Sequence, residues 1–191
     1  MTAPDHGDGR WAQDADSGAQ AARAIVLRRL AAAPRSVWEI EQALHGRGIP
    51  DSIADEVIDR FIEVGLLDDE AFARAWVISR SGSRGLARAR LRRELAAKGV
   101  DEALIEGAIA QIDEQAEYER ALALAERRLR LLEGQGSGPR QSEHSDDSRA
   151  VVEEQRARLV GLQRRLSLYL MRRGYPPSMA AQVSRVVVEA G

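Results

Sequence analysis

The sequence predicts an all-α protein built from tandem three-helix units, forming an elongated, curved modular array. Three observations lead there. The apolar content is 44%, carried mainly by Ala and Leu with only 4% aromatics, and these are strong helix formers. Apolar residues recur at helical spacing almost throughout. A helix–Gly turn–helix pattern also occurs three times. Ile40, Leu44, Gly48 and Ile49 align with Leu91, Leu95, Gly99 and Val100, then with Leu166, Leu170, Gly174 and Tyr175, at offsets of 51 and then 75 residues. The alignment continues through Ile53, Leu104 and Met179, then Val57, Ala108 and Val183, then Phe61, Ile112 and Val187. Each unit can bury residues at i, i+4 spacing against its own second helix, which is the logic of a tandem repeat.

Residues 1–20 are rich in Asp, Gly and Ala without periodicity, and read as a disordered tail with a lone Trp11. The first helix spans about 21–33 and stops before Pro34. Ser36 then caps a helix with Glu39 as its capping-box partner, ending near Gly48. A helix over 51–64 ends at Gly65, and Asp68 starts the next. The stretch "SRSGSRG" at 79–85 breaks the chain. Helices follow over 86–98, ended by Gly99, over 101–112, and then toward Leu132. "GQGSGPRQSEHSDDS", 134–148, reads as a flexible linker. A helix over 151–173, a turn at 174–177 and a helix to Glu189 close the chain. The expected division is therefore 1–20 tail, 21–80 first unit, 81–133 second unit, 134–148 linker and 149–191 C-terminal unit.

The three acids Asp68, Asp69 and Glu70 in "GLLDDEAFARAW" invite a metal-site reading. They also stand where a helix begins, where carboxylates meet free N–H groups and the positive end of the helix dipole. A metal would need further ligands on facing elements. The three histidines do not supply them: His6 and His144 fall in expected disorder, and His45 ends a helix. The chain has no Cys, so thiolate sites and disulfides are excluded. No Walker sequence, GxGxxG or Ser/His/Asp set is visible, and "GQGSG" has no strand before it. The reading is a protein without catalytic residues, metal or cofactor. No N-terminal signal sequence or run of about 18 apolar residues is present, so a cytoplasmic protein with no membrane partner is expected; the chain is also expected to be monomeric when free.

Net charge is only -2, but it is strongly patterned. Residues 51–70 hold eight acids and one Arg, and 72–98 hold eight basic residues and one acid. Residues 101–119 hold seven acids and no base, and 156–173 hold six arginines and no acid. If the units repeat in register, one side presents Arg88, Arg90, Arg92, Arg93 and Lys98 with Arg164, Arg165, Arg172 and Arg173. Such a face suits nucleic acid or an acidic protein groove, and arginine forks match carboxylates as well as phosphates. Neutralisation between neighbouring helices is the plainer alternative.

"GLLDDEAFARAWVISR" followed by "RLRRELAAKGV" resembles the bacterial RecX family, regulators of the RecA recombinase. The resemblance rests on Gly65, Leu66, Leu67, Asp68, Asp69, Phe72, Ala73 and Arg80 in the first motif, and on Arg90, Leu91, Glu94, Leu95, Lys98, Gly99 and Val100 in the second. It covers about 23–190 and departs from the family pattern at "GSRGLA", 82–87, and in the longer 134–148 segment. It implies a non-enzymatic protein that binds RecA filaments on single-stranded DNA along the filament groove. Such a protein restrains filament growth and lowers ATP hydrolysis, strand exchange and coprotease activity in the SOS response, within DNA repair and recombination. Direct contact with single-stranded or duplex DNA stays open. The alternative is an autonomous helix-turn-helix-type DNA-binding protein with "ARARLRRELAAKG" as recognition helix. Its arginines spread around that helix, however, with few side chains suited to reading base edges.

Overall fold

The computed structural model describes residues 15–135 and 148–190, and every described element is an α-helix. In order these are α1 (Ala15–Ala32), α2 (Val37–His45), α3 (Asp51–Glu63), α4 (Asp69–Arg84), α5 (Arg88–Ala96), α6 (Glu102–Ala110), α7 (Glu114–Gln135), α8 (Ser148–Arg172) and α9 (Pro177–Ala190). The chain divides into two compact units. Among the described residues the first comprises 15–77 and 93–108, and the second 78–92, 109–135 and 148–190. The divisions fall inside α4, α5 and α6.

In the first unit α1, α2 and α3 close on a core of Ala22, Ile25, Val26, Ile40, Leu44, Ile49, Ala54, Val57, Ile58 and Phe61, which Leu67 completes from beyond the Gly65 turn. In the second, α7, α8 and α9 enclose Ala121, Ala125, Leu129, Leu166, Leu170, Tyr175, Ala180, Val183 and Val187, with Ala87 joining from the segment before α5. Small alanines on α7 let neighbouring helices approach closely, and the leucines and valines of α8 and α9 fill the space between.

The repeat seen in the sequence is a repeat of structure. Ile40, Leu44 and Ile49, then Leu91, Leu95 and Val100, then Leu166, Leu170 and Tyr175, are all buried. In each copy the residue after the glycine donates its amide back to the same place: Ile49 to Leu44 O at 3.2 Å, Val100 to Leu95 O at 3.3 Å, Tyr175 to Leu170 O at 3.3 Å. Gly48, Gly99 and Gly174 have φ of 69°, 71° and 92°, the left-handed conformation expected at a helix end closed by a backward hydrogen bond.

Several boundaries differ from the sequence reading, among them α8, which starts at Ser148 inside the expected linker. Helix α1 already begins at Ala15, so 15–20 of the expected tail is helical, and α7 takes in Gly134 and Gln135. Trp11 with 1–14, and 136–147 of the expected linker, lie outside the described residues. The break expected at 79–85 is absent: α4 runs unbroken to Arg84. Its serines do not compete with the helix there but bond back along it, Ser81 Oγ to Ile78 O at 3.3 Å and Ser83 Oγ to Ser79 O at 2.6 Å. The helix stops only at Gly85, whose φ is 59°.

Candidate functional site

The acids at 68–70 do separate jobs in the first unit. Asp68 caps its own helix, accepting the Ala71 amide at 2.9 Å. Asp69 Oδ1 instead accepts the amide of Val37 at 2.9 Å, and so caps α2. Glu70 pairs with Arg74 one turn on. The predicted capping box is present, with the Glu39 amide on Ser36 Oγ at 3.2 Å and the Ser36 amide on Glu39 Oε2 at 3.3 Å. The same buried hydroxyl donates to the Lys98 carbonyl at 2.6 Å, while Lys98 Nζ lies 2.7 Å from Glu39 Oε1 and 4.5 Å above the Trp76 ring. Trp76 in turn donates to Glu94 at 3.2 Å, and its ring lies beside Phe72.

This network tunes its carboxylates in opposite directions. Burial works against ionisation of Glu39, but Lys98, the Ser36 amide and Arg35 outweigh it and hold the carboxyl below its ordinary value. For Asp69 burial wins; the Val37 amide offsets it in part, and the negative charges of Asp68 and Glu39 add to the rise. No group of three or more His, Cys, Asp or Glu among the described residues is arranged to hold a metal ion, and no described helix is long and apolar enough to cross a membrane.

The basic candidates divide between the units: Arg93 and Lys98 belong to the first, and Arg88, Arg90, Arg92, Arg164, Arg165, Arg172 and Arg173 to the second. Lys98 and Arg88 are held by acids of the fold. Lys98 is held as above. Arg88 donates from Nη2 to the Ile112 carbonyl, and its Nε lies 3.4 Å from Glu117. The buried Glu117 also accepts the Arg88 backbone amide at 3.0 Å, which caps α5 from α7.

The start of α5 meets the end of α8. The Ala87 amide donates to the Arg173 carbonyl at 2.9 Å, so a free donor at one helix start satisfies a free acceptor at another helix end. Gly174 lies so close to α5 that a Cβ there would come within 2.5 Å of the Arg90 amide nitrogen. A basic seam results. Arg90 and Arg92 on α5 and Arg172 on α8 are exposed on the two helices that meet there, with Arg164 and Arg165 exposed farther back along α8. Arg173 is half-buried over the Tyr169 ring, 4.0 Å from its centroid, and Arg128 approaches the same ring at 5.6 Å.

Comparison with known proteins bears on the family and the fold. Residues 22–61 match the family description "RecX, first three-helix domain" and 68–109 match "RecX, second three-helix domain". A protein named "Regulatory protein RecX" from Streptomyces coelicolor is 42% identical over 168 residues, covering 88% of this chain and 78% of its own length. The chain belongs to the RecX family. A relative of the same name from Mycolicibacterium vanbaalenii is 40% identical over 94% of this chain and 89% of its own. The crystal structure of RecX from Lactobacillus salivarius shares the fold at a TM-score of 0.68 and 17% identity, covering 90% of this chain and 97% of that one. The all-α organisation in repeated three-helix domains is thus that of RecX.

Several residues of this chain escaped sequence reasoning. Glu117 caps a helix that begins 29 residues earlier, and Asp69 caps one 32 residues earlier; neither carries a local signal. Arg128 and Tyr169 could have been sought, since Arg127, Arg128 and Arg130 form a basic run with an aromatic on the neighbouring helix.

Proposed function

We propose that this chain is a non-enzymatic regulator of the RecA recombinase. It binds RecA filaments on single-stranded DNA along the filament groove and mainly inhibits recombinase, ATPase and coprotease activity. Membership of the RecX family carries the reading, together with relatives named as regulatory proteins. The basic seam at the α5–α8 junction supports it as the binding face, with Arg90, Arg92, Arg172, Arg164 and Arg165 as contact residues and Arg88 and Arg173 as the residues that set its shape. Arg93 is a further contact residue on α5. A groove between acidic protomer surfaces, or one carrying a phosphate backbone, is complementary to such a seam.

The deciding experiment changes Arg90 and Arg92 to Glu in one variant and Arg164, Arg165 and Arg172 to Glu in another. Each is titrated against preformed RecA filaments on single-stranded DNA, with ATP hydrolysis and filament length as readouts. Both variants should keep wild-type helicity and lose inhibition. Bare single-stranded and duplex DNA at matched salt are the controls, because phosphate contacts weaken steeply with salt. Tight duplex binding by the wild type without any effect on filaments would favour an autonomous DNA-binding protein instead.

A further inference from the structure

The Gly65 turn of the first unit carries three large apolar side chains in five residues, all outward: Ile62 is 45% exposed, Val64 52% and Leu66 55%. Single exposed aliphatics are ordinary on a protein surface, but a cluster on a rigid turn is a different object. The core face of α3 is complete without them, formed by Ala54, Val57, Ile58 and Phe61. The turn is held by consecutive backbone bonds: Val64 N–H to Arg60 O at 3.2 Å, Gly65 N–H to Ile62 O at 2.9 Å, and Leu66 and Leu67 N–H to Phe61 O at 2.9 and 3.1 Å. Leu67, 1% exposed, anchors it from below. The apolar knob is therefore presented in one conformation, which lowers the entropic cost of docking.

Its surroundings carry the opposite sign to the basic seam. Residues 51–70 contain eight acids against one base, and that base, Arg60, lies 2.9 Å from Glu63. Asp55, Glu56, Asp59 and Asp68 are exposed around it. An acidic rim repels phosphate and favours a cationic partner, and an apolar centre needs an apolar socket.

From these observations we infer that the α3–α4 turn is a second docking surface, whose occupant is a basic protein surface with an apolar socket. Where that surface belongs to the recombinase, the inference rests on the function proposed above. The knob and the seam then engage partner regions of opposite charge, and the knob contacts protein and not DNA.

The test uses the full chain in two arms. In the first, Val64→Ser with Leu66→Ser, and separately Asp59→Lys with Glu63→Lys, are compared with wild type for binding to RecA filaments. Leu27→Ser, which removes an apolar side chain 53% exposed elsewhere in the unit, is the control. The first two variants should bind about tenfold or more weakly with unchanged helicity, the serine variant also with unchanged affinity for bare single-stranded DNA, and the control should match wild type. A photoreactive phenylalanine analogue at position 66 should crosslink to RecA. Undiminished binding by the variants, or a crosslink to DNA, overturns the inference. In the second arm, synthetic amphipathic helices of Lys with Leu, and of Glu with Leu, are titrated while the Leu66 methyl resonances are followed. The Lys peptide should shift them and the Glu peptide should not. If wild type ignores filaments, the RecA function fails, and this arm alone decides the knob: no shift with the Lys peptide overturns it.

Discussion

The amide of Val37 ends on the carboxylate of Asp69, 2.9 Å away and 32 residues along the chain. Helix α2 thereby has two caps, Ser36 from its own sequence and Asp69 from the start of α4. Asp69→Ala should lower stability by about 0.5–2 kcal/mol, the usual range for losing a cap, in urea unfolding followed by circular dichroism. Asp68→Ala should cost a similar amount through α4 alone. Neither variant should alter metal content, because both carboxylates act on backbone amides.

The two carboxylates predict opposite pH behaviour. Glu39 ionises below its ordinary value in the fold, so its contribution is present above the unfolded value and lost as pH falls through the folded one. Asp69 ionises above its ordinary value, so its contribution is present below the unfolded value and lost as pH rises through the folded one. Stability profiles between pH 3 and 7 should show Glu39→Gln flattening the acid limb. Asp69→Asn should remove the opposing trend. Identical profiles for the two variants would contradict this assignment.

Much of the fold was legible because it is written in local periodicity. Three glycines at matched positions, with aliphatics four and eight residues before them, specify three helix ends without reference to the rest of the chain. The Ser36–Glu39 capping box was equally local. What escaped was long-range or cooperative: Asp69 on α2, Glu117 on α5, and the persistence of α4 through Ser-Gly-Ser, where helical neighbours and serine back-bonding override a composition that reads as a break. The candidate site was half legible. Charge blocks identify basic helices, but sequence cannot tell that Lys98 pairs with Glu39 and Arg88 with Glu117, or which arginines lie beside a helix junction.

Removing Glu117 should damage the second unit. It leaves the Arg88 amide without its acceptor and the Arg88 guanidinium without its ion-pair partner. A cost of about 2–3 kcal/mol is expected for Glu117→Ala, below the figure for a fully buried pair because the Arg88 side chain is partly solvated. The midpoint of thermal or urea unfolding checks it, and Arg88→Met should recover part of the loss in the double variant.

The three repeat glycines should respond unequally to alanine. At Gly48 an added Cβ meets open space, so only the left-handed strain of about 1–2 kcal/mol applies. At Gly174 it would also strike the Arg90 backbone, and at Gly99 the Trp38 side chain, whose Cγ would be 2.3 Å away. Gly174→Ala should be the most damaging and should loosen the basic seam. Gly99→Ala should change tryptophan fluorescence where Gly48→Ala does not.

Tyr175 should titrate late. Burial drives its phenol up to about 12, with the Arg120 charge pulling the other way. Absorbance titration near 295 nm should show one late step that Tyr175→Phe removes. Because the hydroxyl has no hydrogen-bond partner among the described residues, the same change should leave stability at neutral pH nearly unaltered.

The tie between Ser36, Glu39 and Lys98 has a consequence for synthesis. On the ribosome α2 emerges with its own cap but without the carbonyl and ammonium that Ser36 and Glu39 require, since these arrive 62 and 59 residues later. At ordinary elongation rates the wait is roughly 3–12 s. Throughout it Ser36 and Glu39 stand in a half-finished polar network, and until α3 and Leu67 have followed, Ile40 and Leu44 are displayed beside it. A trigger-type chaperone near the exit tunnel would have those seconds in which to act, and a synonymous codon change that slows translation before Lys98 would lengthen them without altering a single residue.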